Sequence, residues 1–248
     1  MYILNPIFCY NSLDILPYVI DYYQKENIEM YILDNYSTDK TWEFLQKNKI
    51  PSKKIDTNET FNIQLLLKYR VNVIKDLKPD WVIRVGIDCF ITTFKPLRKI
   101  IEEADSEGYN SISMPFIRLW NTGEKLTDQD PRKVFFNYSI VSKSFICAYK
   151  FANFKKYDGD KTRLKNKNVK KLVISCILDY GNTRGKEKRE EEYKRRQLAW
   201  DQGLPKKYGV HYIEASKKGW VWDIKKLNDI RKSKYWDSIC ERFNYLEE

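Results

Sequence analysis

The first hundred residues alternate between short apolar runs and segments in which apolar residues return every three or four positions. Tyr2 to Cys9 is an apolar run closed by Tyr10-Asn11-Ser12, the pattern of a strand followed by a helix-capping signal. From Asp14 onward Leu16, Val19, Ile20 and Tyr23 recur at helical spacing, with Pro17 in the first turn, where a missing N–H costs least. Asn27 ends that helix, and Ile28 to Leu33 predicts a second strand with Glu29 as its one charge. Asn35 to Asp39 is a polar loop capping a short helix over Lys40 to Gln46. Strand, helix, strand and helix in this order predict a mostly parallel sheet flanked by helices.

The pattern continues with a helix over Phe61 to Leu77, broken by Lys78-Pro79-Asp80, and a buried strand over Trp81 to Val85 leading into Gly86-Ile87-Asp88. Pro96 to Ala104 predicts a helix; Asn110 to Leu119 and Lys133 to Ser142 predict strands around a polar loop, Asn121 to Pro131. The second half is less regular. Tyr157 to Lys171 is lysine-rich without apolar period and predicts a loop or exposed ribbon, and Val173 to Leu178 predicts a short strand. Lys186 to Trp200 predicts a long charged helix presenting a solvated face of i,i+4 ion pairs, from which Arg195 and Arg196 could reach a phosphate. No repeat or linker divides the chain, so residues 1–248 are taken as one domain.

Composition narrows the setting. No apolar run approaches the roughly 20 residues of a membrane span, and the start, MYILNPIFCY, lacks the basic segment of a signal peptide. The five cysteines, Cys9, Cys89, Cys147, Cys176 and Cys240, are scattered without a C-x-x-C, which predicts free thiols in a reducing cytoplasm. A net charge of +11 predicts attraction to anions: nucleotide diphosphates, phosphorylated acceptors or an anionic membrane surface touched peripherally. Nucleic acid would suit the charge, but no RNP, KH, zinc-finger or helix-turn-helix signature accompanies it, and it is not expected as a partner.

Two loops after apolar strands carry carboxylates, Asp34 to Asp39 and Gly86 to Phe90. In open parallel sheets ligands bind at strand carboxyl ends. A carboxylate there accepts hydrogen bonds from a base or ribose, or ligates a hard divalent cation. Asp39 has the rival reading of a helix cap.

The stretch Asp34-Asn35-Tyr36-Ser37-Thr38-Asp39-Lys40-Thr41, with Asn11-Ser12, Leu16-Pro17 and Asp80 to Phe90 around it, resembles the family 2 glycosyltransferases of the GT-A fold over about residues 2–95. The resemblance implies a Rossmann-like GT-A domain, with a nucleotide-binding half over 1–95 and a more irregular acceptor-side half over 96–248. It implies a hexosyltransferase-type enzyme that moves a sugar, with inversion, from a nucleotide diphosphate sugar to a glycan, lipid-linked or protein hydroxyl. Asn11, Asp34, Asn35, Ser37, Asp39, Gly86, Asp88 and Arg195 would then form the donor site, with Asp34 on the base. A divalent cation, Mn²⁺ or Mg²⁺, would sit on Asp88 and on His211, the sole histidine. The acceptor-side base would lie in the loop offering Glu124, Asp128 and Asp130, with Asp130 favoured over Asp128, and Trp220 would stack on the acceptor sugar, with core packing as its plainer role.

The chain departs from the family pattern where it matters for the cation. Gly86 stands where the first Asp of the Asp-x-Asp motif belongs, Ser12 where an acid follows Asn11, and Cys89 where a Glu follows the motif. Those losses predict a weakly bound metal, or a relative that binds nucleotide sugar or glycan without turning it over.

Overall fold

The computed structural model describes residues 1–120, 130–133, 137–158, 161–181, 183–184, 186–203 and 227–244. Four parallel strands build one side of the sheet: β1 (Ile3–Cys9), β2 (Glu29–Asp34), β3 (Ser52–Lys54) and β4 (Trp81–Ile83). The other side is β5 (Cys89–Thr92), β6 (Ser111–Leu119), β7 (Asn137–Lys150) and β11 (Cys176–Asp179), and the order is β3-β2-β1-β4-β7-β6-β11-β5. Here β6 and β11 are parallel, while β7 runs antiparallel to β4 and β6, and β5 antiparallel to β11. Short strands β10 (Val169–Lys171) and β12 (Asn228–Asp229) join β6 and β7, and β8 (Phe154–Asp158) with β9 (Lys161–Leu164) forms a separate ribbon.

The apolar runs are nearly continuous because the strands are covered on both faces. In β1, Ile3, Ile7 and Cys9 enter the main core while Leu4 and Phe8 point to the opposite cluster; β4 splits Trp81 and Ile83 from Val82 in the same way. Helices α1 (Leu16–Lys25), α2 (Thr41–Lys47) and α4 (Leu97–Ser106), with α6 (Trp236–Asn244), pack on the main core. Helix α3 (Ile63–Leu77) covers the other face. The sheet is the mostly parallel, helix-flanked α/β arrangement that a GT-A-like Rossmann-type domain requires. Among the described residues no helix is long and apolar enough to cross a membrane.

Several boundaries differ from expectation for identifiable reasons. β3 is a polar edge strand with Lys53 and Lys54, which gives no apolar signal. β5 follows Asp88 immediately, so its four residues merge with the loop before them. β7 extends eight residues beyond Ser142 through Lys143 and Ser144, because bulged pairing with β6 tolerates polar positions there. The first part of the lysine-rich segment falls in the β8–β9 ribbon, as the pattern allowed, but its end, Val169–Lys171, is β10, which pairs with β6 in the main sheet and was not expected as a strand.

Candidate functional site

Since β1, β2 and β4 are parallel, the segments after them gather at one edge of the sheet. The residues after β1 and β2 form a hydrogen-bonded knot. Asp34 is fully buried and its carboxylate accepts from Cys9 Sγ (3.4 Å), Ser37 N (3.3 Å) and Ser37 Oγ. Ser37 Oγ in turn accepts from Asn11 N (2.9 Å), and Asn11 Oδ1 accepts from Thr38 N (2.7 Å). Asn11 adopts a left-handed conformation, φ 46°, which lets its amide reach both loops. Asp39 accepts from Thr41 N (3.1 Å) at the start of α2, from Leu13 N (3.2 Å) and from Lys188 Nζ (3.3 Å). Burial raises the Asp39 carboxyl, but the hydrogen bonds from Thr41 and Leu13 and the Lys188 ammonium outweigh it and hold it below its usual value.

Beside this knot opens a cavity of about 790 Å³. Asn35, Gly86, Asp88 and Arg195 line it, whereas Asn11, Asp34, Ser37 and Asp39 form the support around it. Asp130 is not on its wall: that carboxylate is taken up bidentately by Arg132, both oxygens accepting from Nε at 2.8 Å. Asp128, Glu124, His211 and Trp220 lie outside the described residues.

The sequence pattern did not single out Asp179. Strand β11 ends on it, and pairing with β5 sets Asp179 opposite Cys89. Tyr180 N donates to Asp88 O (2.8 Å), and ring contacts Tyr22–Phe90 and Phe90–Tyr180 at 5.3 and 5.4 Å hold the two strand ends together. The phenol of Tyr23 donates to Cys89 O (3.0 Å), anchoring the same strand to α1. As a result Asp88, Cys89 and Asp179 bring ligand atoms within 4.8 Å of one another. An acid after a short apolar strand and before Gly181 repeats the signal that marked Asp88, so Asp179 was open to the same logic.

Burial, and then the Asp179 carboxylate, push the Asp88 carboxyl up to about 7, against the pull of Arg184. Asp179 is itself held by Arg118 Nε (2.8 Å) and Gly181 N (2.9 Å). Burial, reinforced by both acids, holds the Cys89 thiol well above its ordinary range. The Asp88 carboxylate lies between two glycines: a β-carbon on Gly86 would meet its Oδ1 at 2.7 Å, and one on Gly181 its Oδ2 at 2.5 Å.

The rest of the wall mixes apolar and aromatic side chains, among them Phe8, Phe61, Phe116 and Phe145, with the acids Glu191 and Glu192 and a larger set of cations. Arg84 and Arg118 contribute from the side of the main sheet, Arg70 from α3 and Arg163 from β9, and Arg184, Lys188, Arg189, Arg195 and Arg196 from the segment leading into α5 (Lys186–Asp201) and from α5 itself. Helix α5 therefore does not present a purely solvated face: Arg189 and Arg195 are buried. Guanidinium groups tolerate this when carbonyls and aromatic faces receive them. Arg195 lies 3.5 Å over the Tyr10 ring and donates to Glu59 O (3.0 Å) and Thr60 O (3.2 Å). The Asn35 amide satisfies its surroundings with its oxygen toward Arg195 Nη2, at 2.5 Å. Arg70 is 5% exposed, stacks 4.2 Å from the Phe8 ring, and its Nε has no hydrogen-bond partner among the described residues.

No protein-family model and no curated protein matches this chain. Among solved structures, a fragment of S. aureus TarS in complex with UDP is 14% identical with a TM-score of 0.46, over 79% of this chain and 65% of that one. The mannosyltransferase PcManGT from Pyrobaculum calidifontis, in complex with GDP-Man and Mn²⁺, is 8% identical with a TM-score of 0.47, over 99% and 74%. HddC from Yersinia pseudotuberculosis, complexed with GMP-PN, is 16% identical with a TM-score of 0.44, over 80% and 99%.

Proposed function

We propose that this chain is a hexosyl-type glycosyltransferase that binds a nucleotide diphosphate sugar in the cleft and passes the sugar, with inversion, to a hydroxyl of a glycan or lipid-linked acceptor. One observation carries this: two adjacent carboxylates, Asp88 and Asp179, face a cavity whose wall carries many more arginines and lysines than acids, Glu191 and Glu192 being the other carboxylates on it. Guanidinium groups attract a diphosphate; bare carboxylates beside it would repel one. Both are served when a divalent cation lies between the acids and the phosphates.

The acid pair fits such a cation. Two carboxylates give a hard ion its first oxygens and leave the remaining positions to phosphate and water, the habit of Mg²⁺ and Mn²⁺. The Cys89 thiol, kept protonated by burial, is a poor additional ligand, which favours a hard ion over zinc. When bound, the ion would supply Lewis-acid stabilisation of the departing diphosphate. Arg70, Arg184 and Lys188 would hold the phosphates from the other walls, and Asn35 would meet the base or ribose from the end of β2. The Asp88–Asp179 pair replaces the acid absent at Gly86, which weighs against a relative without turnover.

Calorimetry with UDP, GDP, CDP and TDP and their sugars, with and without Mn²⁺, tests the proposal. One nucleotide family should bind, more tightly with Mn²⁺, and Asp88→Asn should remove that dependence. Absence of binding to every nucleotide in either condition sinks it, and salt-sensitive oligonucleotide binding in its place would favour a basic nucleic-acid binder.

A further inference from the structure

A second concavity of about 870 Å³ runs between α3 and the segment around the β8–β9 ribbon. Leu67, Lys68, Val71 and Lys75 face it from α3, spaced so that one helical stripe forms the wall. Phe151, Phe154, Lys155, Lys156, Tyr157 and Lys165 face it from the other side. Every charged residue on its wall is a lysine. Lys68, Lys75, Lys155 and Lys156 are exposed and have no carboxylate partner among the described residues. Apolar and aromatic side chains lie between the lysines, and Ile63 and Leu67 line both this groove and the cleft that holds Asp88, so the two adjoin.

We infer that this groove seats an anionic glycan chain, one carrying phosphate, sulfate or carboxylate groups, and leads its acceptor end toward the cleft. Aromatic side chains suit the apolar faces of sugar rings, and the unpaired lysines around them suit repeated negative groups. A concave channel fits an extended chain better than the plane of a bilayer. The inference rests on reading the cleft as a transferase site, since only then does a groove adjoining it carry an acceptor.

Binding of labelled dextran sulfate and of neutral dextran of equal length, alongside nucleoside diphosphates and phosphatidylglycerol vesicles, tests the assignment. The variants are Lys68→Glu/Lys75→Glu/Lys155→Glu/Lys156→Glu in the groove, and Lys47→Glu/Lys99→Glu/Lys171→Glu/Lys232→Glu as a control of equal net charge. The sulfated chain should bind and the neutral one should not. The groove variant should lose roughly ten-fold or more in affinity for the sulfated chain, since like charges now face it. It should keep its nucleotide affinity, and the control should resemble wild type. Equal loss in both variants overturns the inference, because the attraction is then only net charge. Vesicle binding lost with the groove lysines, without dextran sulfate binding, overturns it in favour of a membrane surface. Wild type that ignores every nucleotide yet shows the groove-specific effect removes the transferase reading and leaves the anionic-glycan groove standing.

Discussion

A β-carbon on Gly86 would stand 2.7 Å from Oδ1 of Asp88. Gly86 has no left-handed φ, so the position demands small size and not a special backbone. On the other side the Asp88 carboxylate already lies close against Gly181, where an added β-carbon would stand 2.5 Å from Oδ2, which leaves it little room to retreat. Gly86→Ala should therefore fold but displace the Asp88 carboxylate, lowering cation affinity roughly 10–100-fold, the usual cost of disturbing a ligand's surroundings. Gly86→Asp should do worse, adding a third acid to a crowded pair, although the family pattern carries an acid there. A Mn²⁺ titration followed by calorimetry checks both; tighter cation binding by Gly86→Asp would show that the Asp88 carboxylate swings clear.

The raised Asp88 carboxyl makes stability fall with pH. Between its ordinary 3.8 and about 7 the folded protein holds a proton that the unfolded chain has released. Stability thus declines as pH rises through that window, and the cost of the ionised pair is fully present above it. Asp88→Asn removes the titration. In EDTA its melting temperature should gain on wild type steadily from pH 4 to 7 and hold that lead at pH 8. A constant difference across the range would mean that Asp88 titrates normally.

What could be read before the fold was known, and what could not, follows from the range of the interactions involved. β1, β2 and β4 were legible because both faces are buried and the apolar runs are local. Asp34 and Asp88 were legible because each closes such a run. The pairing of Asp88 with Asp179 was not, because it depends on Cys89 and Asp179 meeting across β5 and β11, ninety positions apart in the chain. The inward side of α5 was hidden for another reason: Arg195 is buried by stacking on Tyr10 and by carbonyls, and apolar periodicity does not register a buried guanidinium.

Asp179 and Asp130 compete for the role of acceptor base. Asp130 was favoured by the order of residues along the chain; both carboxylates are paired, Asp130 with Arg132 and Asp179 with Arg118, but only Asp179 lies on the cavity wall. Loss of a general base costs about 10²–10⁴ in rate. If Asp179 is the base, Asp179→Asn should lose turnover to that extent while Mn²⁺-dependent donor binding survives. If it serves the cation, donor binding should lose its Mn²⁺ dependence at once. Asp130→Asn should leave the donor dissociation constant unchanged in either case, and a turnover loss confined to that variant would return the base to Asp130.

Asp34 acts, in this geometry, through Ser37. It is fully buried and accepts from both the amide and the hydroxyl of Ser37, which in turn receives Asn11 N. Asp34→Ala leaves those donors without a partner, a loss of about 1–3 kcal/mol in stability. For a chain of this size that is roughly 2–12 °C in melting temperature. Asn35, next in the chain and on the cavity wall, should shift with the loop, so nucleotide affinity should fall together with stability. A double-mutant cycle separates support from contact: Asp34→Ala and Ser37→Ala should be strongly non-additive because the two residues act as one unit, the second change adding only the cost of leaving the Asn11 amide without its acceptor. An Asp34→Ala protein with wild-type melting temperature and much weaker nucleotide binding would instead put the carboxylate itself on the base.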